Sequence, residues 1–420
     1  MKLRELRIDG YKNLVNCTIP VADFNVVVGP NNSGKSNLLE VFRTLWCLCL
    51  STEDEKKRFF MGRPFAQRDM TRPTIFPSST QSPLRIGVTF ETEVNGETWV
   101  VDFDAKLRRL MHPLMDEATD FESESLKAKQ PSKTGPAKAY VYREGKKLTV
   151  IGKNHPISTT TSAISAVPVL YPDPEPDVIP PELLIFLADI QSIARTTTFA
   201  LSPEAIRNNL HKENVPADYR VSSFGLLLAM DDIFKHKDKA TLFKETVCDI
   251  LELDDLHFEV VNMQMRKSKA DQPTSTQCFR FCVIRHKSGN FSNLAEYSDG
   301  TLIVTALVAA LIRQDKTSGL TCIEEVENCL HPRAQEKLLK FLKDNSSRWQ
   351  LIITTHSPYL VNGVDPMDVL IAQVDEHGGT HFVKPEDRKA INNLLKRGHM
   401  SFGELMANNF QDIVRHGDND

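Results

Sequence analysis

Eight consecutive residues, Gly29-Pro30-Asn31-Asn32-Ser33-Gly34-Lys35-Ser36, fit the pattern G-x-x-x-x-G-K-[ST]. Each residue type serves the capture of a triphosphate. Gly29 and Gly34 let backbone amides turn inward on phosphate oxygens, and the helix N-terminus that follows adds a favourable dipole. Lys35 neutralises charge on the β- and γ-phosphates, and Ser36 offers a hydroxyl to Mg²⁺. Together with Asn37, the first residue of the predicted helix, these are the candidate nucleotide contacts. Much later, Glu324 and Glu325 close the apolar run Leu320-Thr321-Cys322-Ile323. Two carboxylates at a strand end present one acid to a metal, through water, and one to an attacking water molecule. Glu324 is the metal candidate and Glu325 the candidate general base. His356 follows a second apolar run, placed to hydrogen-bond a γ-phosphate. Ser298-Asp299-Gly300-Thr301 opens a helical pattern with a hydroxyl and free amides, a further anion-binding arrangement.

Taken singly, most of these are ordinary: two acids after a strand make a solvated turn, a histidine there is structural, and Ser-Asp-Gly-Thr is an N-cap. Their context gives them weight. The run 24–28 has β character and stops at Gly29, and residues 37–48 keep Leu38, Leu39, Phe42 and Leu45 at helical spacing, so the order is strand, phosphate loop, helix. The last third alternates helix (301–312), strand (320–324), helix (332–342), strand (350–354) and a helix near the end, which predicts a largely parallel sheet.

Between these halves the pattern changes. Residues 84–94 and 99–107 alternate around Asn95-Gly96 and predict an antiparallel pair. Residues 108–138 read as a charged insertion without period. From Lys127 to Lys153 there are eight Lys or Arg against one acid, Glu144. A proline-rich stretch, 167–181, precedes an expected apolar strand at 182–190, and a helical lobe is expected from 203 to 253, followed by β-type runs at 257–265 and 278–285. The expected fold is α/β: a P-loop head with a mixed, mainly parallel sheet, an antiparallel β-subdomain and a helical lobe. The expected divisions are 1–107 for the first half of the head, 108–200 for the insertion, 201–290 for the helical lobe and hairpin, and 291–420 for the second half.

Bulk properties narrow the function classes. The 420 residues are 41% hydrophobic and 25% charged, with a formal net charge of −4, so a nucleic-acid surface would have to be local, in segment 127–153. No run approaches the length a membrane span needs, and the N-terminal segment lacks a signal-peptide core, giving the expectation of a cytoplasmic protein without a membrane role. The eight cysteines form no C-x-x-C pair and read as buried hydrophobes in a reducing compartment.

The joint order of the motifs resembles the ABC-type ATPases of the SMC, RecF and OLD group, within the AAA family ATPases. Residues 28–40, VGPNNSGKSNLLE, look like the family's phosphate loop. YSDGTL at 297–302 resembles its signature loop, IEEVENCLHP at 323–332 its Walker B and D-loop, and IITTHSPYLV at 352–361 its switch-histidine segment. The resemblance implies ATP and Mg²⁺ as ligands and hydrolysis between two copies of the chain, with Ser298, Asp299 and Gly300 of one copy completing the site of the other. Glu324 stands where the Walker B aspartate is usual and Val326 where proline is common. Gln67, Gln81 and Gln191 are the candidates for the family's Q-loop. Absence of heptads sets the chain apart from the long-armed SMC proteins, and the 64 residues after His356 are too few for the nuclease domain that OLD nucleases append. Style and size are closest to stand-alone ATPases of bacterial antiphage systems, such as PtuA of Septu or AriA of PARIS. The expected role is therefore a sensor or scaffold that oligomerises around ATP and acts with a separate effector nuclease. A RecF-like DNA-binding repair ATPase, touching phosphates through Lys127, Lys129, Lys133, Lys138, Arg143, Lys146 and Lys147, is the alternative. A transporter subunit is disfavoured because Ser-Asp-Gly-Thr departs from the transporter signature.

Overall fold

The computed structural model describes residues 1–52, 55, 83–108, 120–210, 220–253, 257–267, 275–285, 291–314, 319–385, 401 and 403–404. In chain order the first half contributes β1 (Lys2–Asp9), β2 (Cys17–Pro20), β3 (Phe24–Val28), α1 (Lys35–Leu50), β4 (Leu84–Val94), β5 (Glu97–Arg108), β6 (Asp120–Lys129), β7 (Lys138–Glu144), β8 (Lys147–Val150) and β9 (Lys153–Pro156). Then come α2 (Ala163–Leu170), α3 (Pro181–Ala194), β10 (Thr197–Phe199), α4 (Pro203–Asn209), β11 (Arg220–Val221), α5 (Leu226–Phe234), α6 (Lys237–Ile250), β12 (His257–Lys267), β13 (Ser275–Arg285) and β14 (Phe291–Asn293). The last part holds α7 (Asp299–Arg313), β15 (Leu320–Ile323), α8 (Pro332–Asp344), β16 (Gln350–Thr355), α9 (Pro358–Asn362), β17 (Val369–Val374) and β18 (Thr380–Val383).

Two large sheets result. A seven-stranded sheet runs β11-β10-β15-β16-β3-β17-β18 and is parallel except for the last pair. An eight-stranded antiparallel sheet runs β2-β1-β4-β5-β6-β7-β8-β9, and β12, β13 and β14 form a third, small one. The parallel sheet is buried on both faces, as crossover helices require. Phe24, Val26 and Val28 of β3, Leu351 and Ile353 of β16, and Val369 and Ile371 of β17 face one core with α4 to α8. Val27, Ile352, Leu370 and Ala372 face the other, where Leu38, Leu39, Val41, Phe42 and Leu45 of α1 pack between this sheet and the antiparallel one. The two ends of the sequence are tied directly: Leu3 N–H donates to Gln350 Oε1 (2.9 Å), and Gln350 Nε2 donates to Leu3 O (2.7 Å).

The expected hairpin is present, with β4 paired to β5 around Asn95 and Gly96, both at positive φ. Two expectations are overturned. Residues 182–190 are helical, not a strand: Pro181 sits at the first turn with Glu182, and Leu183, Phe186, Leu187, Ile190 and Ile193 recur at helical spacing on the buried side. The aperiodic insertion contains β6, whose alternation is masked because a charged residue, Glu124, takes a buried position on the same face as Leu126 and Ala128. Arg143 of β7 answers it across the sheet, 2.8 Å away, and also donates to Gly145 O, Thr161 O and Ser158 O. Arg143 is fully buried in that network, so it contacts no phosphate, contrary to its place in the basic segment. Lys127, Lys129, Lys133, Lys138, Lys146, Lys147 and Lys153 are exposed. Cys17, Cys47, Cys49 and Cys322 are buried as expected, whereas Cys329 is exposed. Among the described residues no helix is long and apolar enough to cross a membrane.

Candidate nucleotide site

Strand order explains how motifs far apart in sequence meet. β15, β16 and β3 are adjacent and parallel, with Ile323 beside Ile353 and Thr355 beside Val28, so their C-terminal ends lie along one edge. The phosphate loop leaves β3, the paired glutamates leave β15 and His356 leaves β16 at that edge, where open α/β sheets bind ligands.

In the loop, Gly34 sits at φ 87° as the N-cap of α1, a conformation that disfavours a side chain. A Cβ there would also lie 2.8 Å from Thr380 Oγ1 and 3.1 Å from Asn13 Nδ2. Asn31, Asn32 and Ser36 are exposed around the mouth, and Ser33 is buried. Lys35 Nζ turns back into the loop and donates to Gly29 O (2.8 Å), Pro30 O (2.7 Å) and Ser33 Oγ (3.4 Å). Asn37 is held from the turn after β1: its Nδ2 donates to Asn13 Oδ1 (2.6 Å), and its Oδ1 accepts from Lys12 Nζ (3.2 Å). Sequence spacing gave no sign of Asn13, Lys12 or Thr380, which reach the loop only through the fold.

The acids lie opposite. Glu325 is in the left-handed region, φ 49°, its N–H donating to Thr354 Oγ1 (3.1 Å) and its Oε2 accepting from Asn328 Nδ2 (2.9 Å). His356 Nε2 is 4.0 Å from Glu325 Oε1. Glu324 starts the same turn, its N–H donating to Phe199 O (2.8 Å). A third carboxylate, Glu327, accepts the backbone N–H of His356. The charged groups at this edge act on one another. Burial pushes the Lys35 ammonium down to about 8, with Glu325 and Glu327 pulling the other way. Burial and then the Lys35 charge hold His356 below its ordinary value, against Glu327 and Glu325, so near neutral pH its imidazole is uncharged and can donate one hydrogen bond.

Ser298, Asp299 and Gly300 make their contacts elsewhere. Ser298 caps α7, accepting from Thr301 N–H (3.3 Å). Asp299 pairs with Arg207 of α4 (2.7 Å), which also donates to Ala295 O (3.0 Å) and Tyr297 O (2.9 Å) and so fixes the loop from behind. Gly300 is pressed against the turn that follows the acids: a Cβ would lie 2.6 Å from Cys329 O. Gln191, one Q-loop candidate, lies on α3, while Gln67 and Gln81 fall outside the described residues.

The donor set suits Mg²⁺. Among the described residues no three His, Cys, Asp or Glu side chains are grouped to hold a metal unaided. A hydroxyl at the exposed Ser36 and a carboxylate at Glu324 are hard oxygen donors of the number Mg²⁺ takes from protein when phosphates supply others.

Comparison with known proteins agrees with this geometry. A model described as an AAA ATPase domain matches residues 1–166. An AAA domain model, whose description names the AbiEii toxin and type IV toxin–antitoxin systems, matches residues 224–362. A curated relative, the OLD nuclease of Thermus scotoductus, is 29% identical over 99 residues, which span 23% of this chain and only 19% of that protein. The SMC head domain from Thermotoga maritima is 16% identical with a TM-score of 0.42, covering 91% of this chain and 99% of its own. An SMC head bound to the C-terminal winged-helix domain of ScpA is 14% identical with a TM-score of 0.47, covering 97% and 100%. Those structural likenesses are loose. Both ATPase-domain matches contribute strands to the single sheet whose edge gathers Lys35, Glu325 and His356; the chain is an AAA-type ATPase.

Proposed function

We propose that the chain binds ATP with Mg²⁺, hydrolyses it between two copies of itself, and serves as the sensor or scaffold of a bacterial antiviral system whose separate effector is a nuclease. The observation that carries the hydrolytic part is the placement of Glu325 and His356 opposite Lys35 on one sheet edge. Lys35 and the loop amides hold the β- and γ-phosphates, and neutral His356 donates to a γ-phosphoryl oxygen. Glu325 takes a proton from water as the water oxygen attacks the γ-phosphorus and the bond to the β–γ bridging oxygen breaks, leaving ADP. Mg²⁺, held by Ser36 and Glu324, would neutralise charge on the phosphate oxygens. Phosphate contacts from the partner subunit's Ser298 and its Gly300 N–H complete the pocket, which makes assembly depend on ATP. The nuclease setting draws on the similarity to a relative named OLD nuclease.

The test is the Glu325→Gln protein, weighed in solution with and without ATP and Mg²⁺. The amide keeps the fold and the phosphate cradle but cannot accept the proton, so turnover should fall at least about 100-fold while ATP drives dimers or larger species. A variant that binds ATP yet stays monomeric, with the wild type also monomeric, refutes the shared site.

A second reading, a RecF-like DNA-binding repair ATPase, is favoured by one observation: seven lysines between Lys127 and Lys153 are exposed on β6 to β9 and their turns.

A further inference from the structure

Three contacts clasp the end of β16 and the segment after it to the turn after β15 and the start of α8. Thr354 Oγ1 accepts from Glu325 N–H (3.1 Å). Glu327 Oε1 accepts from His356 N–H. Ser357 Oγ donates to Gln335 Oε1 (2.7 Å), and Gln335 Nε2 returns to the turn by donating to Leu330 O (3.0 Å). The first and last of these join neutral groups. The middle one has an ionised acceptor and attaches to the residue whose side chain faces Glu325. The other oxygen of Glu327, Oε2, is buried and has no hydrogen-bond partner among the described residues. A carboxylate left half satisfied beside a buried lysine is costly, and its neighbours must hold it there. Its field reaches both Lys35 and His356.

We propose that Glu327 is a positioning residue of the ATPase site: by accepting the His356 N–H it fixes the histidine against the phosphate position and ties the movement of the switch segment to that of the general base, Glu325. The role rests on the hydrolytic reading above. Glu327 touches no reacting atom. It acts through His356, so the acceptor oxygen matters rather than the charge. Replacing it with glutamine keeps an oxygen at the same reach, whereas alanine removes it and frees the histidine backbone.

The experiment compares wild type, Glu327→Gln and Glu327→Ala by steady-state ATP hydrolysis with Mg²⁺, by ATP binding, and by amide hydrogen exchange in peptides covering residues 350–360. Wild-type turnover is measured first; its absence would count against the hydrolytic reading, and the exchange measurement then still decides on the clasp. In Glu327→Ala, kcat should drop roughly 10- to 100-fold with KM for ATP within about threefold, because misplacement of a catalytic group costs turnover more than binding. Exchange around His356 should quicken while peptides of α1 and β3 stay protected. Glu327→Gln should recover kcat to within about threefold of wild type and restore the protection. Unaltered kcat and exchange in the alanine variant overturn the proposal, and so does a glutamine variant as impaired as alanine. If the alanine variant does not fold, the glutamine variant decides: near-normal kcat and exchange support the clasp, and a kcat reduced beyond about tenfold refutes it.

Discussion

Lys35 is a buried ammonium that supplies its own hydrogen bonds, to Gly29 O and Pro30 O, and burial holds it at about 8. Its folded value lies below the ordinary 10.5, so the unfolded chain binds more protons between those values, and the cost of burying the charge, complete below pH 8, is relieved as pH rises through that window. Phosphate oxygens entering the loop push the value back up. ATP binding at pH 8.5 to 9 should therefore take up a proton, and at pH 6.5 the lysine should contribute no uptake. Calorimetric titration in two buffers of different ionisation enthalpy measures this, and buffer-independent heats at pH 9 would place the lysine away from the phosphates. Residue types together with the joint order of the motifs pointed to Lys35, Glu325 and His356 as candidates. They did not point to Glu327 or Asn13, whose parts depend on a carboxylate and an amide meeting backbone and side chains brought in by other strands.

At the scale of elements, the N-terminus of α7 and the turn after β15 are so close that Gly300 has no room for a side chain. The Gly300→Ala protein should lose about 1–3 kcal/mol of stability in chemical denaturation, from overpacking against Cys329 O. ATP binding by Lys35 should survive, and hydrolysis should fall as the Ser298–Thr301 segment shifts, if that segment completes the site as proposed. An alanine protein as stable as wild type would show that the turn yields freely. Where one period ran through an element, the sequence was readable: β3 was expected at 24–28, and the helices and strands expected between 301 and 354 were found within a few residues of their expected ends, while the helix expected near the end of the sequence lies outside the described residues. Reading failed where a second rule competed. In α3 an apolar run short enough for a strand was a helix, signalled by Pro181 and Glu182 at its first turn. In β6 a buried ion pair stood where alternation demanded an apolar residue, and its partner Arg143 lay on another strand, out of reach of any local window.

For the whole molecule, the antiparallel sheet carries the chain's local excess of positive charge away from its near-neutral total. Reversing Lys127, Lys129, Lys138 and Lys147 to glutamate should leave ATP hydrolysis unaltered, since these side chains lie on β6 to β8 and not on the edge that bears Lys35. If DNA is a ligand, the same change should remove salt-sensitive binding to a duplex in a mobility or anisotropy assay. Binding that persists after reversal takes this surface out of any DNA-binding role. The sheet topology also governs when the site can exist. β3 lies between β16 and β17, so the glycine-lysine loop emerges from the ribosome long before the strands on either side of its own. Until residues near Gln350 have been synthesised, the parent strand has no neighbour in its sheet, and the lysine has no fixed shape to offer. The nascent polypeptide is thus spared premature nucleotide capture, and competence arrives late, in one cooperative closing of the sheet.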